Sequence, residues 1–220
     1  RGLTGLGIRP RDRVGIWLSN CAEWILLQLA CARIGATLVN VNPAYRSHEL
    51  HYVLSQSRMR ALFLRSRDAR ADYRAILKES SWDGSRVHLE HAICVDEDDW
   101  RRMLERGGEL PAPPASPDDV ANIQYTSGTT GSPKGVLLTH RNILNNAWLI
   151  GRNLRATQGD RLCMPVPMYH CFGCVMASLQ CVITGAALIM PAAQFDAGAT
   201  LEAVDAERAT ILYGVPTMFI

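Results

Sequence analysis

The chain has 220 residues, 48% hydrophobic and 20% charged, a balance that suits a globular domain and excludes a disordered one. A formal net charge of +2 gives no global basic field with which to hold nucleic acid. Seven cysteines, an odd number without small-domain spacing, argue against a secreted disulfide framework and for a reducing, cytoplasmic setting. No apolar run approaches the roughly 18 residues of a membrane span. The chain starts at Arg1 rather than Met, so it reads as a piece of a longer protein whose targeting signals are out of view.

Residues 13–18 predict a buried strand, and Ser19 or Asn20 stands ready to cap the apolar helix Ala22–Ile34, which stops at Gly35. Residues 37–41 form the next strand, and Asn42-Pro43 a turn. Ser47 to Leu50 opens a helix on which Leu50, Val53 and Leu54 share a face, and residues 61–64 are a third strand. The alternation predicts an α/β fold, a parallel-rich sheet covered by helices. A helix over about 68–78 and a strand over 91–95 follow, then an acidic run over 96–99. The six arginines between Arg58 and Arg74 could form a membrane-surface or nucleic-acid patch. Without interleaved aromatics they read better as a solvated face, which leaves peripheral membrane contact open and nucleic acid unsupported. A stiff proline-rich linker over 111–119 separates a first βα subdomain, 1–110, from a second, 120–220, and leads into its central strand.

That strand runs into Thr126-Ser127-Gly128-Thr129-Thr130-Gly131-Ser132-Pro133-Lys134-Gly135, followed by the apolar Val136-Leu137-Leu138. Three glycines let backbone N–H groups turn toward a ligand and form an anion-binding concavity. Ser127, Thr129 and Thr130 add hydroxyl donors, and Lys134 adds a positive charge. The chemistry is that of a polyphosphate site. A Walker loop, GxxxxGK(S/T), does not fit, because Pro133 occupies its second glycine position and Gly135 the place of its magnesium-binding hydroxyl. The loop is therefore expected to join two strands and fold over phosphates as a flap.

Beyond it, Thr139 caps a helix carrying Ile143, Ala147, Ile150 and Leu154 on one face. Strands over 162–164, 187–189 and 210–213 alternate with helices over 175–183 and 196–207. Residues 164–173 end a strand with two prolines and the cluster Tyr169-His170-Cys171-Phe172, where ligands bind in open parallel sheets. Cys171 and Cys174 beside His170 invite a zinc reading. It fails for want of a fourth well-spaced ligand, so no protein-held metal is expected.

The ten residues from Thr126 to Gly135 resemble the phosphate-binding signature of adenylate-forming enzymes: acyl-CoA synthetases, peptide-synthetase adenylation domains and luciferases. Residues 164–173 are similar to the PLxHxxG segment of acyl-CoA synthetases. The resemblance extends over essentially the whole chain and is strong toward medium- and long-chain fatty acyl-CoA ligases, through NVNPAYRSHELHYVLSQS, YHCFG and ATILYGVPTMFI. It implies an incomplete N-terminal AMP-binding domain, 1–220, from an enzyme that joins a fatty acid to ATP and passes the acyl group to coenzyme A.

The resemblance further implies that Thr126, Ser127, Gly128, Thr129, Thr130, Gly131 and Lys134 hold the phosphates, with Mg2+ sharing the neutralisation. His170, Tyr169, Phe172, Gly214 and Val215 would line the acyl and adenylate site. The family's Tyr-Gly-x-Thr-Glu and Thr-Gly-Asp segments do not occur in these residues, nor do its hinge and catalytic lysine, so this chain alone is expected to be inactive. Two alternatives stay open: another carboxylic acid, aryl or amino, or a non-catalytic nucleotide-binding scaffold. Acyl chain length and oligomeric state are not legible.

Overall fold

A computed structural model describes residues 1–80, 88–110, 116–126 and 133–220. They pack as two units. One comprises Arg1–Leu18 and Leu26–His140, the other Ser19–Ile25 and Arg141–Ile220. The chain order is α1 (Gly2–Gly5), β1 (Arg13–Trp17), α2 (Ala22–Ile34), β2 (Thr37–Asn40), α3 (Ser47–Ser57) and β3 (Ala61–Leu64). Then come α4 (Tyr73–Glu79), β4 (His91–Cys94), α5 (Asp98–Glu105), β5 (Val120–Thr126) and β6 (Lys134–Thr139).

The first unit is built on a six-stranded sheet in the order β4-β3-β1-β2-β5-β6. Every neighbouring pair is parallel except β5–β6, which is an antiparallel hairpin. The three inner parallel strands are buried almost throughout, on both faces, and are mostly apolar, as strands covered on both sides tend to be. Val14, Ile16 and Trp17 are completely buried. The core joins Trp17, Leu62 and Leu64 to Leu50, Val53 and Leu54 of α3, the face read from the sequence. Tyr73 of α4 meets Trp17 edge-on at 4.8 Å between ring centroids.

Several expectations change. Helix α4 starts at Tyr73 rather than near 68 because Asp68 turns the chain, accepting from Arg70 and Ala71, and Asp72 then caps the helix. Half of the acidic run is helical: Asp98 and Asp99 sit in the first turn of α5, where the helix dipole favours negative charge. Within the arginine-rich stretch, Arg60 joins Asp12 and Glu90, Arg67 pairs with Asp72, and Arg74 with Glu97.

Strand β5, expected at the centre of a second subdomain, instead pairs with β2 and lies next to the edge of the first sheet. Its register, Leu38 opposite Asn122, places Asn122 Nδ2 2.8 Å from Asn40 Oδ1, a buried bond between the strands. Strands β5 and β6 thus belong to the same packed unit as β1 to β4.

The second unit contains α6 (His140–Asn153) from Arg141 on, β7 (Arg161–Cys163), a π-helix (Phe172–Leu179) and α7 (Gln180–Thr184). It continues with β8 (Ala187–Ile189), α8 (Ala197–Ala206), β9 (Ile211–Leu212) and a 3-10 turn (Pro216–Met218). Its sheet, β8-β7-β9, is parallel throughout. The helix read over 175–183 begins earlier, and most of it is π rather than α, a form that is rare and often found at functional sites. No helix among the described residues is long and apolar enough to cross a membrane.

Candidate functional site

The phosphate-loop residues Ser127, Gly128, Thr129, Thr130 and Gly131 lie outside the described residues, and so does Ser132. What the structure describes is the mouth of the hairpin that carries them. Thr126 ends β5 and pairs with Lys134 at the start of β6, and both are exposed. The antiparallel ladder brings the two ends of the loop together, as the expected strand–loop–strand arrangement requires. Gly135 faces Tyr125 across the ladder, and a Cβ there would lie 3.5 Å from the tyrosine ring. Burial pushes the Tyr125 phenol up to about 12, so it stays protonated and neutral.

What steadies this mouth is not legible in the order of residues. Tyr52 of α3 donates its hydroxyl to the Pro133 carbonyl at 3.0 Å, and Gln56 Nε2 donates to the same hydroxyl oxygen at 2.8 Å.

In the second unit, β7 runs into a buried, irregular segment. Met164, Val166 and Met168 are fully buried, and Pro165 and Pro167 bring no backbone N–H. Asn20 supplies the bonds a ladder would have made. Its Nδ2 donates to Val166 O at 3.0 Å, and its Oδ1 accepts from Met168 N at 2.8 Å. Expected as a helix cap, Asn20 is a strand-end clamp, and its own N–H donates to Ala193 O at 3.0 Å.

The segment then turns into the π-helix. His170 O accepts from Gly173 N at 3.0 Å and Cys174 N at 3.1 Å. Gly173 is required by close approach: an added Cβ would lie 2.4 Å from Pro167 O and 2.7 Å from Met168 Cα. This backbone fold leaves the His170 side chain exposed, with its ring 4.5 Å from that of Tyr169. Partial desolvation holds the imidazole below the ordinary histidine range, and the ring's exposure limits that effect. At neutral pH it is an uncharged donor or acceptor.

Phe172 stacks obliquely on Tyr213 at 5.2 Å, just beyond β9. Burial raises the Tyr213 phenol to about 12, and its hydroxyl has no hydrogen-bond partner among the described residues. Gly214 lies against the Phe219 ring, and Val215 is exposed. Of the acyl-site candidates, Tyr169 thus pairs with His170, and Phe172 pairs with Tyr213, a residue outside the expected set. Cys171 is exposed and Cys174 fully buried, so the two thiols have different surroundings. Among the described residues, Cys94, Glu97 and Asp99 have potential ligand atoms within 4.8 Å of one another, but Arg74 ion-pairs with both carboxylates.

Comparison with known proteins covers the same ground. The chain is 39% identical over 234 residues to the acyl-CoA ligase SID4 of Ajellomyces capsulatus. It is 37% identical over 252 residues to the mitochondrial medium-chain acyl-CoA ligase ACSF2 of Bos taurus. Each alignment takes in 100% of this chain and 40% of the relative, so the chain spans about two fifths of the length of these proteins. Among solved structures, a long-chain-fatty-acid-CoA ligase (FadD1) from Archaeoglobus fulgidus superposes with a TM-score of 0.85 at 25% identity, over 99% of this chain and 42% of that one. ATP-bound MatB from Rhodopseudomonas palustris superposes with a TM-score of 0.83 at 27% identity, over the same 99% and 42%. The sequence profile of the AMP-binding enzymes matches residues 1–220, and the chain belongs to that family.

Proposed function

We propose that this chain is part of the N-terminal AMP-binding domain of an ATP-dependent fatty acyl-CoA synthetase. The observation that carries the reading is the hairpin mouth. Thr126 and Lys134 are paired across an antiparallel ladder, which brings the two ends of the polar, glycine-rich stretch together with Lys134 at one of them. Thr126, Ser127, Gly128, Thr129, Thr130, Gly131 and Lys134 would bind the β- and γ-phosphates of ATP, which arrives with magnesium as substrate.

In the first step a carboxylate oxygen attacks the α-phosphorus and the bond to pyrophosphate breaks. Charge accumulates on the departing pyrophosphate, where Lys134 and backbone donors neutralise it without covalent participation. In the second step the thiol of coenzyme A attacks the acyl carbon and AMP leaves. His170, Tyr169 and Phe172, with Gly214 and Val215, would border the acyl group, an apolar wall meeting the reacting carboxylate. A neutral His170 can donate one hydrogen bond there without adding charge.

The test is carboxylate-dependent exchange of pyrophosphate into ATP, run on the full-length enzyme with fatty, aryl and amino acids. Fatty acids should support exchange. Lys134→Ala should lower it roughly 10- to 150-fold, the loss of one charged hydrogen bond of about 1.5–3 kcal/mol, with AMP affinity nearly unchanged. Exchange confined to aryl or amino acids would replace the substrate class. Equal losses for ATP and AMP would remove the loop from the phosphates, and no exchange with any acid would leave a nucleotide-binding scaffold.

A further inference from the structure

The hairpin mouth poses a problem that its own strands do not solve. Strand β6 is the edge of the sheet, and its first residue, Lys134, is the last to pair with β5. The residue before it is Pro133, which has no N–H to donate. An edge strand that starts just after a proline is prone to fray, and fraying would begin at the residue that carries the ammonium.

The external tie comes from α3. Tyr52 is half-buried, and its ring is packed against the core cluster that holds the fully buried Leu50, Val53 and Leu54 of the same helix. From this base the hydroxyl reaches Pro133 O at 3.0 Å, across 81 residues of sequence. Gln56, one helical turn on, donates to the phenolic oxygen at 2.8 Å, which leaves the hydroxyl proton free to point at the carbonyl. A donor bonded in this way is polarised, and the second bond of the relay gains from the first. The peptide immediately before Lys134 is thereby bound to a core helix rather than to the edge strand alone.

We propose that Tyr52, braced by Gln56, is a positioning residue for Lys134. It holds the Pro133 carbonyl so that the ammonium keeps one place at the mouth of the phosphate loop. This inference rests on the proposed role of Lys134 toward the leaving pyrophosphate. Tyr52 itself touches no reacting atom; it acts through the backbone of Pro133. A charge stabilises a transition state only where its position is fixed in advance, so a loosened lysine loses rate more than binding.

The experiment is a double-mutant cycle in the full-length enzyme, read by pyrophosphate exchange and by AMP binding. Tyr52→Phe keeps the ring in its packing and removes only the hydroxyl. It should lower kcat/KM for ATP roughly 3- to 10-fold, the range of one neutral hydrogen bond, with AMP affinity and the unfolding midpoint unchanged. Gln56→Ala should move the rate in the same direction by less. In the Lys134→Ala background, Tyr52→Phe should have no further effect beyond about 2-fold, because the group it positions is gone. A purely structural tyrosine would instead lower stability or multiply with Lys134→Ala, and either result overturns the inference. Wild-type kinetics for Tyr52→Phe beside a damaged Lys134→Ala would overturn it while leaving the functional reading intact. A wild-type enzyme without exchange on any acid would overturn both.

Discussion

The hairpin mouth and the strand-end segment over 164–173 answer the same need, to present polar groups at the end of a sheet, in opposite ways. At the mouth, Thr126 and Lys134 are exposed and water can satisfy what the ladder does not, so one hydrogen bond from Tyr52 is enough to fix the carbonyl that matters. From Met164 to Met168 the chain is largely buried and two prolines have removed donors, so the remaining backbone groups there need protein partners. Asn20 fills that need with both ends of its amide, and Gly173 lets the next helix close over it. Exposure makes the first region adjustable. Burial makes the second rigid.

The contrast can be broken most severely at Gly173. Gly173→Ala sets a Cβ 2.4 Å from a backbone oxygen that cannot swing aside, and should cost about 3 kcal/mol or more, read as a large fall in the unfolding midpoint or loss of soluble protein. Near-normal stability would mean that the segment yields as readily as the mouth. Asn20→Leu comes next. It leaves Val166 O and Met168 N buried without partners, about 1–3 kcal/mol for each, so denaturant unfolding should show a loss of about 2–6 kcal/mol. A change under about 1 kcal/mol would show that water reaches the segment.

Gly135→Ala is the matched control at the mouth. Its added Cβ would sit 3.3 Å from Ile123 Cγ2, a side-chain contact that can relax, and stability should stay within about 1 kcal/mol of wild type. A loss as large as that of Gly173→Ala would erase the distinction between the two regions. The smallest effect concerns pH. Desolvation depresses the folded His170 pKa, so its contribution is present above the ordinary histidine value of 6.5 and is lost as pH falls through the folded value. His170→Gln, which does not titrate there, should slightly flatten the dependence of the unfolding midpoint on pH between about 7.5 and 5.5. An unchanged slope would mean that exposure cancels the desolvation.

Much of the fold was legible because periodicity reports burial directly. The apolar strands over 13–18 and 61–64 and the face of Leu50, Val53 and Leu54 are where the pattern placed them. Helix α5 was not, because Asp98, Asp99, Arg101 and Arg102 form i,i+3 pairs on an exposed surface and leave only Met103 buried. Composition predicts a linker over 111–119, of which 111–115 lie outside the described residues. Hydrogen bonding decided which sheet β5 joins, and strand partnership does not show in composition. The loop chemistry around Lys134 was readable as a short run of residue types at fixed spacing, whereas Tyr52 and Asn20 were not, since each acts on backbone far away in sequence.

By itself, then, the amino-acid sequence determined the α/β class, the family and the chemical character of the loop, all of which depend on local order: which residues follow which, and at what period. Only the tertiary structure decided that β5 and β6 close the edge of the first sheet, that the helix after His170 begins as a π-helix, and that Cys171 and Cys174 face different surroundings. It also decided which side chains hold the two candidate regions in place. Tyr52 finds Pro133 across 81 residues and Asn20 finds Val166 across 146, and bonds of that separation exist only once the core has brought their elements together.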